Sequence, residues 1–162
     1  MKFDNDEVDA IIDAWAEHLP EVDFTPLDVM SRLRRVNHRV NEIRREAFRS
    51  TGLEIWEFDV LAALRRAPSP HELSPSQLMD ATMIGSAAMT NRLDNLTKRG
   101  LISRRLNPSD GRSNLARLTD EGSDRVDRAM VELVEREAVV LKSLNREQQG
   151  VLAEMLRILG TR

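Results

Sequence analysis

The residues best placed to do chemistry lie between Ser86 and Arg117. A helix over 86–99, projected at about 100° per residue, puts Met89, Leu93 and Leu96 on one face and Ala87, Asn91, Asp94 and Lys98 on the other, with Thr90 beside them. A small, polar outer face lets a helix sit deep in a major groove and hydrogen-bond base edges. Thr90 and Asn91 have the groups to read bases, Lys98 and Arg99 suit phosphates, and Ser86 at the helix start joins the same DNA-facing set. Beyond the helix, Asn107-Pro108-Ser109-Asp110-Gly111 is dense turn chemistry between two short strands near 101–106 and 115–118. At the tip, Asp110 can brace the turn while Arg112 points outward, and an arginine there suits a narrow, negative minor groove. A solvated amphipathic helix and a local ion pair would also fit these residues taken singly. The helix and the basic hairpin lying side by side favour nucleic acid.

The elements that must hold these groups follow from periodicity and caps. Ile11, Ile12, Trp15 and Leu19 keep helical spacing over 6–18, and Pro20 stops that helix. Thr25 is a cap candidate for a second helix, with Pro26 suited to its first helical position and Gly52 closing it. Val29, Leu33, Val36, Val40, Ile43 and Ala47 form its long apolar seam, a surface suited to packing against another helix. A strongly apolar helix over 54–66 follows. Pro68-Ser69-Pro70 makes a turn, and Ser74 with Gln77 forms a capping box for a short helix ending near Met83. Gly85 or Ser86 opens the next helix and Gly100 sits at its C-terminal cap position. Thr119 caps a long helix to about 143, and Asn145 with Gln148 caps the last one. Helix, short helix, helix and basic β-hairpin is the order of a winged helix-turn-helix. The expected fold is therefore mainly α with a small β-hairpin. Helices over 1–52 and 119–162 form a dimerisation region around a DNA-binding domain at 53–118.

Composition narrows the function. The 162 residues are 41% hydrophobic and 31% charged, a globular balance, and no apolar run reaches the length of a membrane span. The N-terminus is acidic, unlike a targeting segment, so the expected location is cytoplasmic. With no cysteine, disulfides, thiolate metal sites and thiol redox sensing drop out. The net charge of −3 conceals an asymmetry: 1–28 carry nine acids against one lysine, whereas 86–117 carry seven bases against two acids. There is no glycine-rich phosphate loop or nucleophile elbow, and His18, His38 and His71 are scattered. An enzyme, a cofactor and a metal site are therefore not expected. A purely helical dimerisation module would leave the basic hairpin unexplained.

The stretch Leu73–Gly122, with LSPSQL, SAAMTNRLDNLTKRGLI and SRRLNPSDGRSNLARLTDEG, resembles the MarR family of transcription regulators. WAEHLPEVDFTPLDVMSRLRRV and GLEIWEFDVLAALRRA extend the likeness to the urate-responsive branch of PecS- and HucR-like regulators, which adds an N-terminal helix. The chain departs from the pattern at Ser86-Ala87-Ala88, Asn95 and Gly111, which bears on operator preference and affinity rather than on fold. The resemblance implies a homodimer on double-stranded DNA, a repressor, released by a small molecule such as urate or another purine. It also implies that Trp15, Asp59, Arg92 and Arg104 answer to the ligand. A regulator sensing an aromatic carboxylate is the alternative.

Read from the residues alone, those four positions are less decided. Trp15 lies on the apolar stripe of its helix, where a core role is the default. Asp59 projects toward Ala62, Ala63 and Arg66, so a solvated position is open to it. Arg92 flanks the recognition helix instead of sitting at its base-reading centre. Arg104 shares a strand face with Ile102 and Leu106, so it is expected to point inward and to need an anion or a carboxylate.

Overall fold

The computed structural model describes residues 5–107 and 110–161, and for 110–113 the backbone only. Its elements are α1 (Glu7–His18), α2 (Thr25–Arg49), α3 (Ile55–Arg66), β1 (Glu72–Leu73), α4 (Pro75–Thr82), α5 (Ser86–Lys98), β2 (Ile102–Asn107), β3 (Asp110–Leu118), α6 (Asp120–Leu141) and α7 (Arg146–Gly160). The chain divides into two compact units, 1–43 and 44–162.

In the first unit, Asp6 caps α1 by accepting the Val8 and Asp9 backbone N–H groups, and the Asp9 carboxylate returns the favour to the Asp6 N–H. Arg32 reaches Asp6 and Asp9, each at 2.9 Å, and Arg35 pairs with Glu7. Part of the acidic N-terminus is thus neutralised by arginines of α2. Thr25 does not cap α2. It is the first helical residue, and Asp23 accepts its backbone N–H at 2.9 Å and its hydroxyl at 2.6 Å. The carboxylate two residues back reaches the free N–H first, and the threonine hydroxyl becomes a donor to it.

The second unit is built around α3. Phe58, Val60, Leu61, Ala62, Ala63 and Leu64 are buried and meet Leu78 of α4, Met89, Leu93 and Leu96 of α5, Leu101 and Ile102 at the start of β2, and Val126, Ala129 and Leu133 of α6. Phe48 stacks on Phe58 with centroids 4.1 Å apart. The apolar face expected for α5 is therefore the face that holds it. Three antiparallel strands pack in the order β1-β3-β2. β1 pairs Glu72 with Arg117 and Leu73 with Ala116, a third strand beyond the expected hairpin. β3 also begins five residues earlier than its sequence pattern, at Asp110, and the β2–β3 register shifts between Leu106 and Asn107.

Two helix ends close with the same device. Gly52 (φ +64°) ends α2, its N–H bonding Arg49 O and that of Leu53 bonding Phe48 O. Gly100 (φ +70°) ends α5, its N–H bonding Thr97 O and that of Leu101 bonding Leu96 O. Both are Schellman turns, which need the left-handed residue glycine supplies, and both bury the leucine that follows. Thr119 caps α6 by accepting the Gly122 N–H at 3.0 Å, and its hydroxyl lies 2.8 Å from Gly100 O.

Candidate nucleic-acid interface and the cleft behind it

α5 turns Ser86, Ala87, Thr90, Asn91 and Lys98 to solvent while Met89, Leu93 and Leu96 are buried. Asn91 and Lys98 have no side-chain partner among the described residues, so their donors and acceptors are free to engage a ligand. The Thr90 hydroxyl is turned back onto Ser86 O at 3.2 Å. Asp94 and Arg99, also placed on this face by sequence, are engaged within the protein. Asp94 meets Arg104 of β2 at 2.8 Å. Arg99 pairs with the carboxylate of Glu57 and donates to Gly52 O at 2.7 Å. Arg104 has the carboxylate partner expected of it, but not the inward position: only Ile102 of its strand face is buried, whereas Arg104 and Leu106 are exposed, because the outer half of β2 extends beyond the core. The side chain of Arg112 lies outside the described residues.

Behind α5, an open cleft of about 410 Å³ is lined by Arg45, Glu54, Ile55, Trp56, Asp59, Thr82, Ile84 and Arg92. The Arg92 guanidinium lies over the Trp56 ring, 5.4 Å from its centroid. Asp59 pairs with Arg44, whose guanidinium also sits 5.7 Å from the Phe48 centroid. Two of the four ligand residues implied by the resemblance, Asp59 and Arg92, therefore share one cleft. Arg104 is outside its lining. Trp15 belongs to the first unit, where it is 51% exposed and its ring centroid lies 6.5 Å from that of Phe24. Sequence reasoning missed Arg44, Arg45 and Trp56. The available signal was the three-residue step from Trp56 to Asp59, which puts an aromatic face and a carboxylate on one side of α3.

The histidines stay local. The His18 ring contacts Ala14 O at 2.9 Å, His38 lies 3.4 Å from Glu42, and His71 lies between Ala67 O and Arg65.

Residues 51–113 match the model of the MarR family, a stretch that runs from the end of α2 through α3 and α5 into β3. Over 150 residues the chain is 35% identical to the HTH-type transcriptional regulator PecS of Dickeya dadantii, covering 93% of this chain and 90% of that protein. This chain belongs to the MarR family. As a MarR-family member it is a DNA-binding transcriptional regulator and not an enzyme. Its fold is that of solved family structures. The transcriptional repressor CouR bound to a 23-mer DNA duplex superposes with a TM-score of 0.75 at 27% identity, over 87% of this chain and 99% of CouR. Bordetella bronchiseptica BpsR, whose DNA binding is regulated by 6-hydroxynicotinic acid, superposes with a TM-score of 0.73 at 25% identity, over 83% of this chain and 94% of BpsR. Among the described residues of this MarR-family protein, no helix is long and apolar enough to cross a membrane.

Proposed function

We propose that this protein is a repressor that binds a pseudo-palindromic operator as a homodimer and lets go when a purine anion such as urate occupies the cleft behind α5. The observation that carries the reading is Arg92. It stands on α5, the helix whose outer face offers Asn91, and its guanidinium lines the cleft over Trp56. An anion that draws Arg92 to itself acts on the same rigid element that meets DNA, and a purine can take the place of the guanidinium on the indole face. A purine edge carries both acceptors and N–H donors. The acceptors suit Arg92 and Arg45, and the N–H groups suit Asp59, a carboxylate that would repel a ligand made only of acceptors. In the dimer, two-fold symmetry sets the two α5 helices one turn of DNA apart, about 34 Å. Coupling of about 1–3 kcal/mol changes DNA affinity from several-fold to a hundredfold.

A second reading keeps the cleft and changes the ligand. BpsR answers to 6-hydroxynicotinic acid, a planar aromatic anion, and an aromatic carboxylate would also pair with Arg92. One titration separates the two. The DNA upstream of the coding sequence is footprinted, and urate, xanthine, hypoxanthine, salicylate and 6-hydroxynicotinate are added to the preformed complex. The parent should release DNA with a purine, whereas Arg92→Ala and Asp59→Asn should bind DNA and ignore it. Trp15→Ala and Arg104→Ala test the two residues that the resemblance adds. Release by the carboxylates alone selects the second reading. No release by any compound at millimolar concentration ends the effector proposal.

A further inference from the structure

We propose that Arg99 is a positioning residue, not a phosphate contact: with Glu57 and the Gly52 carbonyl it anchors the C-terminal end of α5 and sets the angle at which that helix presents Asn91 to DNA. The inference rests on the outer face of α5 being the DNA-reading face.

Glu57 is a carboxylate with 2% of its surface exposed, in the first turn of α3. Burial of that kind is tolerated only with partners. Glu57 Oε2 has two, the backbone N–H of Glu54 at 2.9 Å and the guanidinium of Arg99. No other cation among the described residues pairs with it. Arg99 is the residue that ends α5, and its second terminal nitrogen donates to Gly52 O at 2.7 Å. That carbonyl belongs to the left-handed residue closing α2. One planar guanidinium therefore ties three chain ends together: the end of α5, the end of α2 and the start of α3. The fork geometry of arginine makes such a contact directional in a way that an ammonium is not.

The remaining contacts of α5 do not supply this direction. Met89, Leu93 and Leu96 bury an apolar face, and apolar contact is non-directional. Arg92 over Trp56 and Asp94 with Arg104 act nearer the middle of the helix. A base-reading side chain must be held within a fraction of an ångström, so the tilt of α5 matters to specificity more than to general attraction for DNA.

The test uses the full-length protein, its footprinted operator and a scrambled duplex of the same length, each titrated between 50 and 200 mM salt. The variants are Arg99→Gln, Arg99→Lys, Glu57→Gln and the double Arg99→Gln/Glu57→Gln, with circular dichroism confirming that each is folded. Arg99→Gln and Glu57→Gln are each expected to lower the operator-to-scrambled affinity ratio about tenfold. The double should be no worse than the poorer single, and the salt dependence should stay at the parental slope. Arg99→Lys, which keeps the charge and loses the fork, should fall between the parent and Arg99→Gln and provides the reading if either neutral variant does not fold. Two results overturn the proposal. One is a salt slope reduced by about one phosphate contact in Arg99→Gln while Glu57→Gln binds like the parent. The other is a lower melting temperature in both with the affinity ratio unchanged, which is a merely structural pair. Asn91→Ala is the control. If it relaxes the ratio and the Arg99 and Glu57 variants do not, the anchor alone is wrong. If it leaves the ratio intact, the DNA-reading face itself is misassigned and the anchor falls with it.

Discussion

Helices α3 and α7 lie in the same compact unit and are both rich in large apolar residues, yet they stand in opposite conditions. α3 spans 12 residues, and seven of them, from Glu57 through Leu64 with Asp59 the exception, are buried. α7 spans 15 residues and buries none: Val151, Leu152, Met155, Leu156, Ile158 and Leu159 are all exposed. α3 is apolar around most of its circumference because other elements surround it. α7 carries its apolar residues, all exposed, beside a charged face of Arg146, Glu147, Glu154 and Arg157. An exposed stripe of this size on a well-formed helix marks an interaction surface. The difference separates what this chain stabilises by itself from what a second copy is proposed to cover.

The largest effect expected is in the packed helix, with its counterpart in the open one. Leu61→Ala, at a fully buried position of α3, should lower the unfolding free energy by about 2–5 kcal/mol in a denaturant titration. Leu152→Glu with Leu156→Glu should leave the helical circular dichroism of the second unit intact and convert the sedimenting species from dimer to monomer. If the α7 double variant unfolds as readily as Leu61→Ala, the contrast between the two helices is false and α7 is part of the core.

Glycine replacements sharpen the same contrast at smaller scale. A Cβ added at Gly122 in the first turn of α6 would lie 2.1 Å from Leu101 O, a backbone atom that cannot yield cheaply. Gly122→Ala should therefore cost about 1–3 kcal/mol by overpacking. A Cβ at Gly150 in α7 meets nothing within 4 Å. Gly150→Ala should gain a few tenths to about 1 kcal/mol from helix propensity. Thermal melts of the two variants should move in opposite directions.

The smallest effect is electrostatic and also belongs to the packed region. Arg65 of α3 takes Asp127 of α6 with both contacts at 2.9 Å, and this hydrogen-bonded pair holds the Asp127 carboxyl below its ordinary value. Arg105 likewise holds Glu72 low by hydrogen bonding. A carboxylate whose folded value is depressed contributes stability above its unfolded value, near 4, and that contribution is lost as the pH falls through the folded one. The melting temperature should therefore drop below about pH 4, and the drop should be shallower in Asp127→Asn.

Sequence legibility followed the range of the forces involved. Helices α1 to α7 were readable because their stripes repeat every turn and their caps lie within a few residues: Ser74 with Gln77, Thr119 with Gly122, Asn145 with Gln148, and the glycines at 52 and 100. The exposed side of α5 and the buried Met89, Leu93 and Leu96 came from the same periodicity. β1 was not readable, since two residues carry no period and their partners in β3 lie more than forty positions on. The sequence by itself determined the winged fold and the basic, polar face of α5, because each is written in local spacing, and the family through the resemblance of contiguous segments. Only tertiary structure decided where Asp94, Arg99 and Arg104 spend their charge. Glu57 and Arg99 are 42 residues apart, and nothing in either segment marks the other as its partner until folding buries the carboxylate and leaves one guanidinium within reach.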